Sequence, residues 1–166
     1  MKPEELAKYI KEQLLKKGVD DAIVSLNKQE CSQIKFSNSK VSAIKDWYHM
    51  DIGIFAVHKK RTIAISIKDF SKKAADAAIE KLLKFAENLP PNNEYNGIAK
   101  GPFEYKEIKK GYDKDIEEIN KGGNIKLVKQ AIDSALKNGA KRAAGVLETD
   151  SSSTYLITSG KIEVKE

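Results

Sequence analysis

Apolar residues recur at four-residue steps near the start of the chain and at two-residue steps soon afterwards. The first set shares one helical face and consists of Leu6, Ile10 and Leu14. Pro3 can occupy the first turn of this helix, and Gly18 can close it in a left-handed conformation. Over residues 21–29 the apolar spacing changes to two, which is typical of a strand. The pattern therefore predicts a helix followed by a strand.

Four more strands are predicted before residue 70, at residues 34–36, 40–47, 52–57 and 63–67. The turns between them are short, at 37–39 and at Lys59–Lys60, and short turns force neighbouring strands to be antiparallel. Ser71 is a good N-cap for a second helix that reaches about Asn88. The apolar stripe of this helix would cover one face of the sheet.

Prolines and glycines interrupt the chain over residues 90–112, which predicts a connection between two units. After it we expect a short helix at 113–121, a helix that Asn124 caps and that ends at Asn138, and strands at 143–149 and 153–158, with Ser151–Ser153 as a hairpin turn. The fold class is therefore α+β. It consists of a first unit at 1–89 with five mainly antiparallel strands between two helices, and a second unit at 113–166.

An internal similarity appears when the chain is shifted by 121 residues without a gap. Leu15-Lys16-Lys17-Gly18 then lies over Leu136-Lys137-Asn138-Gly139, and further matches are Ala22 with Ala143, Leu26 with Leu147 and Ser32 with Ser153. Two similar helix–strand junctions could also align by chance. In the first unit, the two most apolar strands and a helix follow this pattern. The second unit stops at Glu166 before their counterparts, so we expect it to be incomplete, with an open sheet edge.

The chain has 166 residues, 33% of them charged, and a net charge of +6 that comes almost entirely from lysine. Few arginines disfavour nucleic-acid recognition, because bidentate contacts to bases and phosphates use the guanidinium group. No apolar run approaches the roughly 20 residues that span a bilayer, and the N-terminus has no signal-peptide pattern. The single cysteine, Cys31, fits a reducing compartment. We expect a cytoplasmic protein with no membrane partner.

The residues that could carry chemistry do not form a set. His49 and His58 are the only histidines, and their nine-residue separation has neither the HxH nor the HExxH spacing of a metal site. Cys31 and Ser151–Ser153 have no histidine nearby in sequence, and the carboxylate pair Glu117–Glu118 is typical of a solvated helix. The sequence thus predicts no catalytic, cofactor-binding or metal-binding residue in this chain.

Aromatic and basic residues are better candidates for binding. Trp47 and Tyr48 lie together between two predicted strands, Arg61 follows a lysine pair at a hairpin tip, and Tyr155 lies in a late strand. Aromatic side chains provide large contact area at interfaces, although packing in a core or anchoring of a loop is their more common use. Trp47, Tyr48, Arg61 and Tyr155 are our candidates for contact with a partner or substrate.

Residues 33–71 resemble the N-terminal region of the TldD/PmbA family, called modulators of DNA gyrase. The resemblance consists of the polar turn in Ile34-Lys35-Phe36-Ser37-Asn38-Ser39-Lys40, the strand Met50-Asp51-Ile52-Gly53-Ile54-Phe55-Ala56-Val57, and Ile67-Lys68-Asp69-Phe70-Ser71 at the start of an alanine-rich helix. Residues 90–102 and 154–160 are similar to the family's continuation. The similarity extends over essentially the whole chain, in degenerate patterns.

The resemblance implies a zinc metallopeptidase whose members pair as homo- or heterodimers and degrade unfolded peptides. Its HExxxH zinc motif belongs to a C-terminal domain, and this chain contains no such motif. The expected function is therefore a non-catalytic scaffold or substrate-channel domain. Its partners would be the rest of the parent polypeptide, a second family subunit or extended peptides. The alternative is a small basic module that binds nucleic acid or an acidic protein.

Overall fold

A computed structural model describes residues 1–105, 111–120 and 123–166, without the side chains of residues 117, 118 and 120. It contains four helices: α1 (Pro3–Lys16), α2 (Lys72–Glu87), α3 (Lys114–Asn120) and α4 (Asn124–Lys137). It contains five strands: β1 (Asp21–Ser37), β2 (Lys40–His58), β3 (Arg61–Ile67), β4 (Gly145–Thr158) and β5 (Glu163–Lys165). The strands form one antiparallel sheet in the order β3-β2-β1-β4-β5. The α+β fold class is confirmed.

The predicted strand boundaries are wrong in three places, where the structure has fewer and longer strands. The predicted strands at 21–29 and 34–36 are one strand, β1, those at 40–47 and 52–57 are one strand, β2, and the last two are β4. The triple serine at 151–153, predicted as a turn, lies inside β4. Each error fell on a polar stretch. Polar side chains interrupt the apolar alternation, but the backbone can continue its strand through them.

The turns were predicted correctly where the backbone itself requires a special conformation. Asn38 and Ser39 (φ 50° and 59°) join β1 to β2, and Lys59 and Lys60 (φ 51° and 61°) join β2 to β3. Positive φ at both central residues is the conformation of a type I′ hairpin turn. β2 and β3 are antiparallel, with Ile52 opposite Ile67 and His58 opposite Arg61.

The chain divides into two compact units that interleave along the sequence. Unit 1 comprises residues 1–28, 50–105 and 153–166, and unit 2 comprises residues 29–49 and 106–152. The strands β1, β2 and β4 each contribute residues to both units. From the sequence we predicted two consecutive units, 1–89 and 113–166, joined by a connection at 90–112. That division stays a prediction.

Unit 1 has the larger core, built where α1 and α2 pack together and α2 packs on β3. Its centre contains Leu6, Ile10 and Leu14 of α1, each fully buried as the helical spacing predicts, together with Ile54 and Leu82. Ser71 caps α2 as predicted, because its side chain accepts a hydrogen bond from the Ala74 N–H at 3.1 Å. Burial of aliphatic side chains of this size is the main source of stability.

Unit 2 has a small core, in which Ile34, Val128 and Ile132 are buried against Phe36, Ala143 and Leu147. Asn124 was predicted to be the N-cap of α4, and this is wrong. Gly123 occupies the cap position, and the buried Asn124 side chain donates to Ser32 Oγ at 3.2 Å. Asn124 is itself the first residue of the helix, one position past the cap, so a polar residue at a helix start does not by itself fix where the cap lies.

The two related helix–strand units predicted from the 121-residue shift have matching element boundaries. α1 and α4 both contain 14 residues, and their bounds differ by 121 at each end. Gly18 and Gly139 follow them with φ of 79° and 93°. The last turns also match: Gly18 N–H donates to Leu15 O, and Gly139 N–H donates to Leu136 O.

A two-bond serine clasp occurs once in each unit. In unit 1, Ser159 N–H donates to Ala22 O at 2.8 Å while Ser159 Oγ accepts from Ala22 N–H at 3.0 Å. In unit 2, Ser39 N–H donates to Ala143 O at 2.8 Å while Ser39 Oγ accepts from Ala143 N–H at 3.0 Å. Each clasp joins a turn to the beginning of a strand. Ala22 and Ala143 are themselves matched by the shift.

None of the helices in the described part of the chain is both long and apolar enough to cross a membrane.

Candidate functional site

The concave surface of unit 1 lies where the start of α1 meets β4 and β5. A depression of about 410 Å³ is lined by Glu4, Lys8, Tyr155, Glu163, Val164 and Lys165. A neighbouring depression of about 150 Å³ shares Glu4, Tyr155 and Lys165 with it and adds Leu26, Lys28 and Met50, among others. We call the two together the Tyr155 cleft. Pockets that bind small ligands commonly have volumes of about 300–1,000 Å³, and the larger depression falls within that range.

The periodicity of β4 explains how Tyr155 reaches the cleft. Tyr155 and Ile157 point to the core side of the sheet, and the Tyr155 side chain is buried, with 7% exposed. Its hydroxyl donates to Glu163 Oε1 at 2.8 Å. Since a buried phenol requires a hydrogen-bond partner, this contact fixes the ring at the wall of the cleft.

Two ion pairs join α1 to β5 across the cleft. Lys8 Nζ lies 2.8 Å from Glu163 Oε1, and Lys165 Nζ lies 2.8 Å from Glu4 Oε1. All four side chains are at least 40% exposed, so solvent screens each pair and each contributes little stability. Their effect is to order the charged rim of the cleft.

The protonation states in the cleft follow from these contacts. Hydrogen bonds from Lys8 and then from Tyr155 lower the pKa of Glu163. Burial, followed by the hydrogen bond to Glu163, raises the pKa of Tyr155. The hydrogen bond to Glu163 raises the pKa of Lys8. Near neutral pH the carboxylate and the ammonium are therefore charged and the phenol keeps its proton. This arrangement can bind polar groups, but it contains no base ready to accept a proton.

Arg61, the second candidate in unit 1, connects two backbone segments through its guanidinium group. Its Nε donates to Leu89 O at 2.7 Å, and Nη1 donates to Lys59 O at 3.3 Å. These bonds attach the segment after α2 to the β2–β3 hairpin. Arg61 and Tyr155 thus have different partners, and Arg61 is committed to backbone carbonyls.

Trp47 and Tyr48, the candidates in unit 2, belong to an exposed part of β2 that carries four large apolar side chains. Val41, Ile44, Trp47 and Tyr48 are 44%, 50%, 42% and 55% exposed. Because successive side chains of a strand point to opposite faces, Trp47 forms an apolar row with Val41, whereas Tyr48 lies on the other face with Ile44. The pairing of β2 with β3 covers Ile52 to His58, so these residues lie beyond it. Exposed apolar side chains of this size can provide contact area for a partner.

Sequence patterns pointed to Tyr155 and missed the charged residues around it. Glu4 and Lys165 lie 161 positions apart, and Lys8 and Glu163 lie 155 apart, so no local spacing could connect them. Along α1 these charges are indistinguishable from a solvated helix surface. Residues 106–110 of the predicted connection and the side chains of Glu117 and Glu118 lie outside the described residues.

Among the residues that the structure describes, no three histidine, cysteine, aspartate or glutamate side chains are grouped closely enough to hold a metal ion. His58 Nδ1 lies 2.9 Å from Gly18 O and therefore carries the proton, acting as a donor at the end of α1. The described donors do not fit a zinc site, which needs three or four converging ligands.

The segment after α2, residues 89–105, belongs to unit 1 and is hydrogen-bonded to other parts of it at several points. Asn92 N–H donates to Lys60 O, and Gly101 N–H donates to Gly160 O, both at 2.7 Å. Tyr95 OH donates to Asp21 Oδ2 at 2.8 Å. This part of the predicted connection is therefore an ordered strap over the strand ends.

No protein-family profile matches the sequence, and no curated protein is similar to it in sequence. Solved structures do match in fold. A protein described as a modulator of DNA gyrase from Bacteroides thetaiotaomicron has a TM-score of 0.84 at 15% identity, over 98% of this chain and 38% of that chain. TldE from Thermococcus kodakarensis has a TM-score of 0.74 at 15% identity, over 98% and 36%.

A third structure, described as a modulator of DNA gyrase from Thermotoga maritima, has a TM-score of 0.80 at 16% identity, over 98% of this chain and 36% of that chain. At these identities the likeness establishes a shared fold. The predicted resemblance is confirmed at that level. The chain spans less than two fifths of the length of each of the three proteins.

Proposed function

We propose that this chain is a non-catalytic scaffold and substrate-contact domain of a TldD/PmbA-like metallopeptidase that acts on unfolded peptides. The observation that carries the proposal is the extent of the structural match. It covers 98% of this chain and 36–38% of the three matching chains. The matching proteins therefore contain more than one and a half times this chain's length again, in which other functions can lie.

The chemistry of the chain agrees with a role outside the catalytic step. The family resemblance implies an HExxxH zinc motif, and neither His49 nor His58 begins one in this sequence. A zinc-bound water is the reacting group of such peptidases, and it needs ligands that converge on one point. In our proposal, zinc is held by another domain and this chain shapes the path of the peptide.

Two surfaces are suited to contact with an extended peptide. The Tyr155 cleft has ordered carboxylates and ammonium groups that can bind the polar main chain or the charged ends of a peptide. The row with Trp47 offers apolar contact area. Because unfolded peptides expose both main chain and apolar side chains, a polar cleft and an aromatic row are both useful.

Catalysis and metal content provide the first test. The purified 166-residue chain, refolded with zinc and dialysed, should contain no stoichiometric metal by plasma mass spectrometry. It should also cleave no fluorogenic unfolded substrate. Metal-dependent proteolysis by this chain would refute the proposal.

The single tryptophan provides a second, positive test. Trp47 is the only tryptophan and is 42% exposed, so its emission reports directly on the apolar row. Titration with an unfolded casein-derived peptide should change the Trp47 emission saturably, and Trp47→Phe should weaken binding measured by fluorescence anisotropy of a labelled peptide. Lys141→Ala, an exposed change on another segment of unit 2, is the control and should leave the affinity unaltered.

The alternative function, a basic module for nucleic acid or acidic proteins, is favoured by the net charge of +6 and by the exposed Lys59–Lys60 tip. It predicts oligonucleotide binding that weakens steeply with salt, because phosphate contacts release counterions. A mobility shift at low salt that disappears at high salt would favour this alternative. No shift at low salt would remove its nucleic-acid form.

A further inference from the structure

The repeat allows one helix of the chain to be compared with the other, position by position. α1 and α4 share length, closing glycine and final hydrogen bonds, and each residue of α4 has its counterpart 121 positions earlier. Differences in burial between matched positions therefore show what covers one helix and not the other.

In unit 1, one side of α1 faces α2. Leu6 and Ile10 are fully buried on the unit 1 core. Tyr9 OH donates to Asp76 Oδ1 at 2.6 Å, and Lys17 Nζ pairs with Glu80 Oε1. Asp76 and Glu80 are one turn apart on α2. At 100° per residue, positions 6, 9, 10, 13 and 17 lie within one arc of about 100°.

In unit 2, the matching arc of α4 is exposed. Leu127, the counterpart of the fully buried Leu6, is 41% exposed. Ala131, the counterpart of Ile10, is exposed, and so are Gln130 and Ser134. The side of α4 that is buried consists of Asn124, Val128 and Ile132, which face the small core. The arc of α1 that faces α2 thus corresponds to an arc of α4 whose four residues are all exposed in the part of the chain that the structure describes.

We propose that this arc of α4, formed by Leu127, Gln130, Ala131 and Ser134, binds an amphipathic helix in the manner in which α1 binds α2. The fitting partner has small apolar residues along its contacting side and carboxylates on its flank. α2 supplies this chemistry in unit 1, with buried Ala75 and Ile79 beside Asp76 and Glu80.

Lysines beside the arc support a partner that presents carboxylates to them, as α2 presents Asp76 and Glu80 to α1. The helix carries Lys126, Lys129 and Lys137, all exposed, against a single acidic residue, Asp133. At 100° per residue, Lys126 and Lys137 lie beside the Gln130 edge of the arc, whereas Lys129 lies on the opposite side of the helix. The two neighbouring ammonium groups can pair with carboxylates of a bound helix, as Lys17 pairs with Glu80. The small residues Ala131 and Ser134 allow close approach of a second helix backbone. With one large apolar side chain in the arc, we expect weak binding, with a Kd on the order of 0.1 mM.

The test uses a peptide of residues 71–88 of this chain, acetylated and amidated, and a lactam-bridged version of the same peptide with its helix enforced. Each is titrated into the 15N-labelled 166-residue chain, and amide chemical shifts are followed. We expect saturable shifts at residues 127–134. Leu127→Glu and, as a second variant, Ala131→Arg should each weaken the binding at least about tenfold.

The matched control is Ile125→Glu. Ile125 lies on the same helix with a similar exposed fraction of 48%, but about 160° around the axis from Leu127. This variant should retain the binding. The proposal is overturned if the bridged peptide causes no shifts in α4 at millimolar concentration, if both arc variants bind as well as the native chain, or if only α1 responds. Shifts that follow protein concentration without peptide would indicate a second copy as the occupant and would also overturn it.

Discussion

Gly160, in the turn between β4 and β5, has the closest backbone neighbour of any glycine in the described chain. A Cβ placed on it would lie 2.2 Å from Ala99 O, in the strap. The neighbouring Gly101 N–H donates to Gly160 O, so the two backbones are held together at this point. A carbonyl in an anchored backbone cannot move aside as a flexible side chain can.

We therefore expect Gly160→Ala to lower the free energy of unfolding by about 2 kcal/mol or more, since added volume must displace the strap. Urea denaturation followed by circular dichroism measures the change. Gly145→Ala is the comparison, because its Cβ would meet only the ring of Phe36, at 2.7 Å. A partly buried ring can shift, so Gly145→Ala should cost less. Equal costs would contradict the role assigned to the strap.

Ionisation of Tyr95 should lower the free energy of unfolding at alkaline pH. Burial and then the hydrogen bond to Asp21 raise its pKa from 10.0 to about 12. A raised folded-state pKa means that the protonated phenol stabilises the fold fully below pH 10 and that this stabilisation is lost as the pH rises towards 12. The expected loss is about 2 kcal/mol.

Denaturation at a series of pH values between 9 and 12, compared between the native chain and Tyr95→Phe, isolates this contribution from that of the other tyrosines. Tyr95→Phe should be less stable at pH 9, where it lacks the hydrogen bond, and the two curves should converge towards pH 12. Parallel curves across the whole range would show that Tyr95 titrates normally.

Individual residues were predictable where one local rule decides. Ser71 precedes a segment with helical spacing of apolar residues, and it caps α2 as predicted. Gly18 follows α1 with the left-handed backbone angles that glycine adopts easily, as predicted for the end of that helix. The prediction for Asn124 failed, since it is the first residue of α4, one position past the cap, and its amide donates to the distant Ser32 hydroxyl. These two residues are 92 positions apart, so the local sequence around Asn124 could not predict their contact.

Among the elements, the helices were predicted nearly to the residue and the strands were not. Helix periodicity in α1 and α2 persists over three or four turns, which averages out single polar residues. β1, β2 and β4 are 17, 19 and 14 residues long and run through polar stretches such as Lys28–Glu30. Neighbouring strands supply their hydrogen bonds, so the sequence of one strand alone cannot show that it continues.

The cap of α2 allows a quantitative test of one element. Ser71→Ala removes the acceptor for the Ala74 N–H and should lower the free energy of unfolding by about 1 kcal/mol. Ser71→Asp preserves an acceptor at the helix N-terminus and should lose much less. Chemical denaturation of both variants measures their free energies of unfolding. A similar loss for the two would mean that Ser71 acts through something other than capping.

For the whole molecule, the two units differ in the size of their cores. Among the residues that the structure describes, the unit 1 cluster contains 18 buried residues and the unit 2 cluster contains three, Ile34, Val128 and Ile132. Local opening costs less where fewer apolar contacts are lost. The units should therefore open with different free energies, although their helices are equally long.

Native-state hydrogen exchange tests this difference on matched elements. Amides of α4 should exchange at least about tenfold faster than amides of α1 at matched positions, such as Ile132 against Lys11, once intrinsic rates are corrected. Ile132→Ala should accelerate exchange in α4 and leave α1 unaffected. Equal protection of both helices would imply that they open together in one cooperative step.

The α+β class, the antiparallel sheet and the repeated helix–strand unit were all accessible from sequence, because each depends on periodicity or on a turn with special backbone angles. The Tyr155 cleft was accessible only through one aromatic residue. Its other groups, such as Glu163 and Lys8, come together through the pairing of β5 with β4 and the packing of α1. Only tertiary structure gives these charges a common location.

The hairpin at Lys59–Lys60 has a practical consequence. Both lysines have left-handed backbone angles, which cost a residue with a Cβ roughly 1–2 kcal/mol each. Their contacts to other segments are made by backbone atoms. Lys59 N–H donates to Asp20, and Lys60 O accepts from Asn92. Asparagine and glycine would make the same contacts without the conformational cost. Replacing the pair by asparagine and glycine would therefore stabilise the protein while keeping the backbone contacts that hold the hairpin in place.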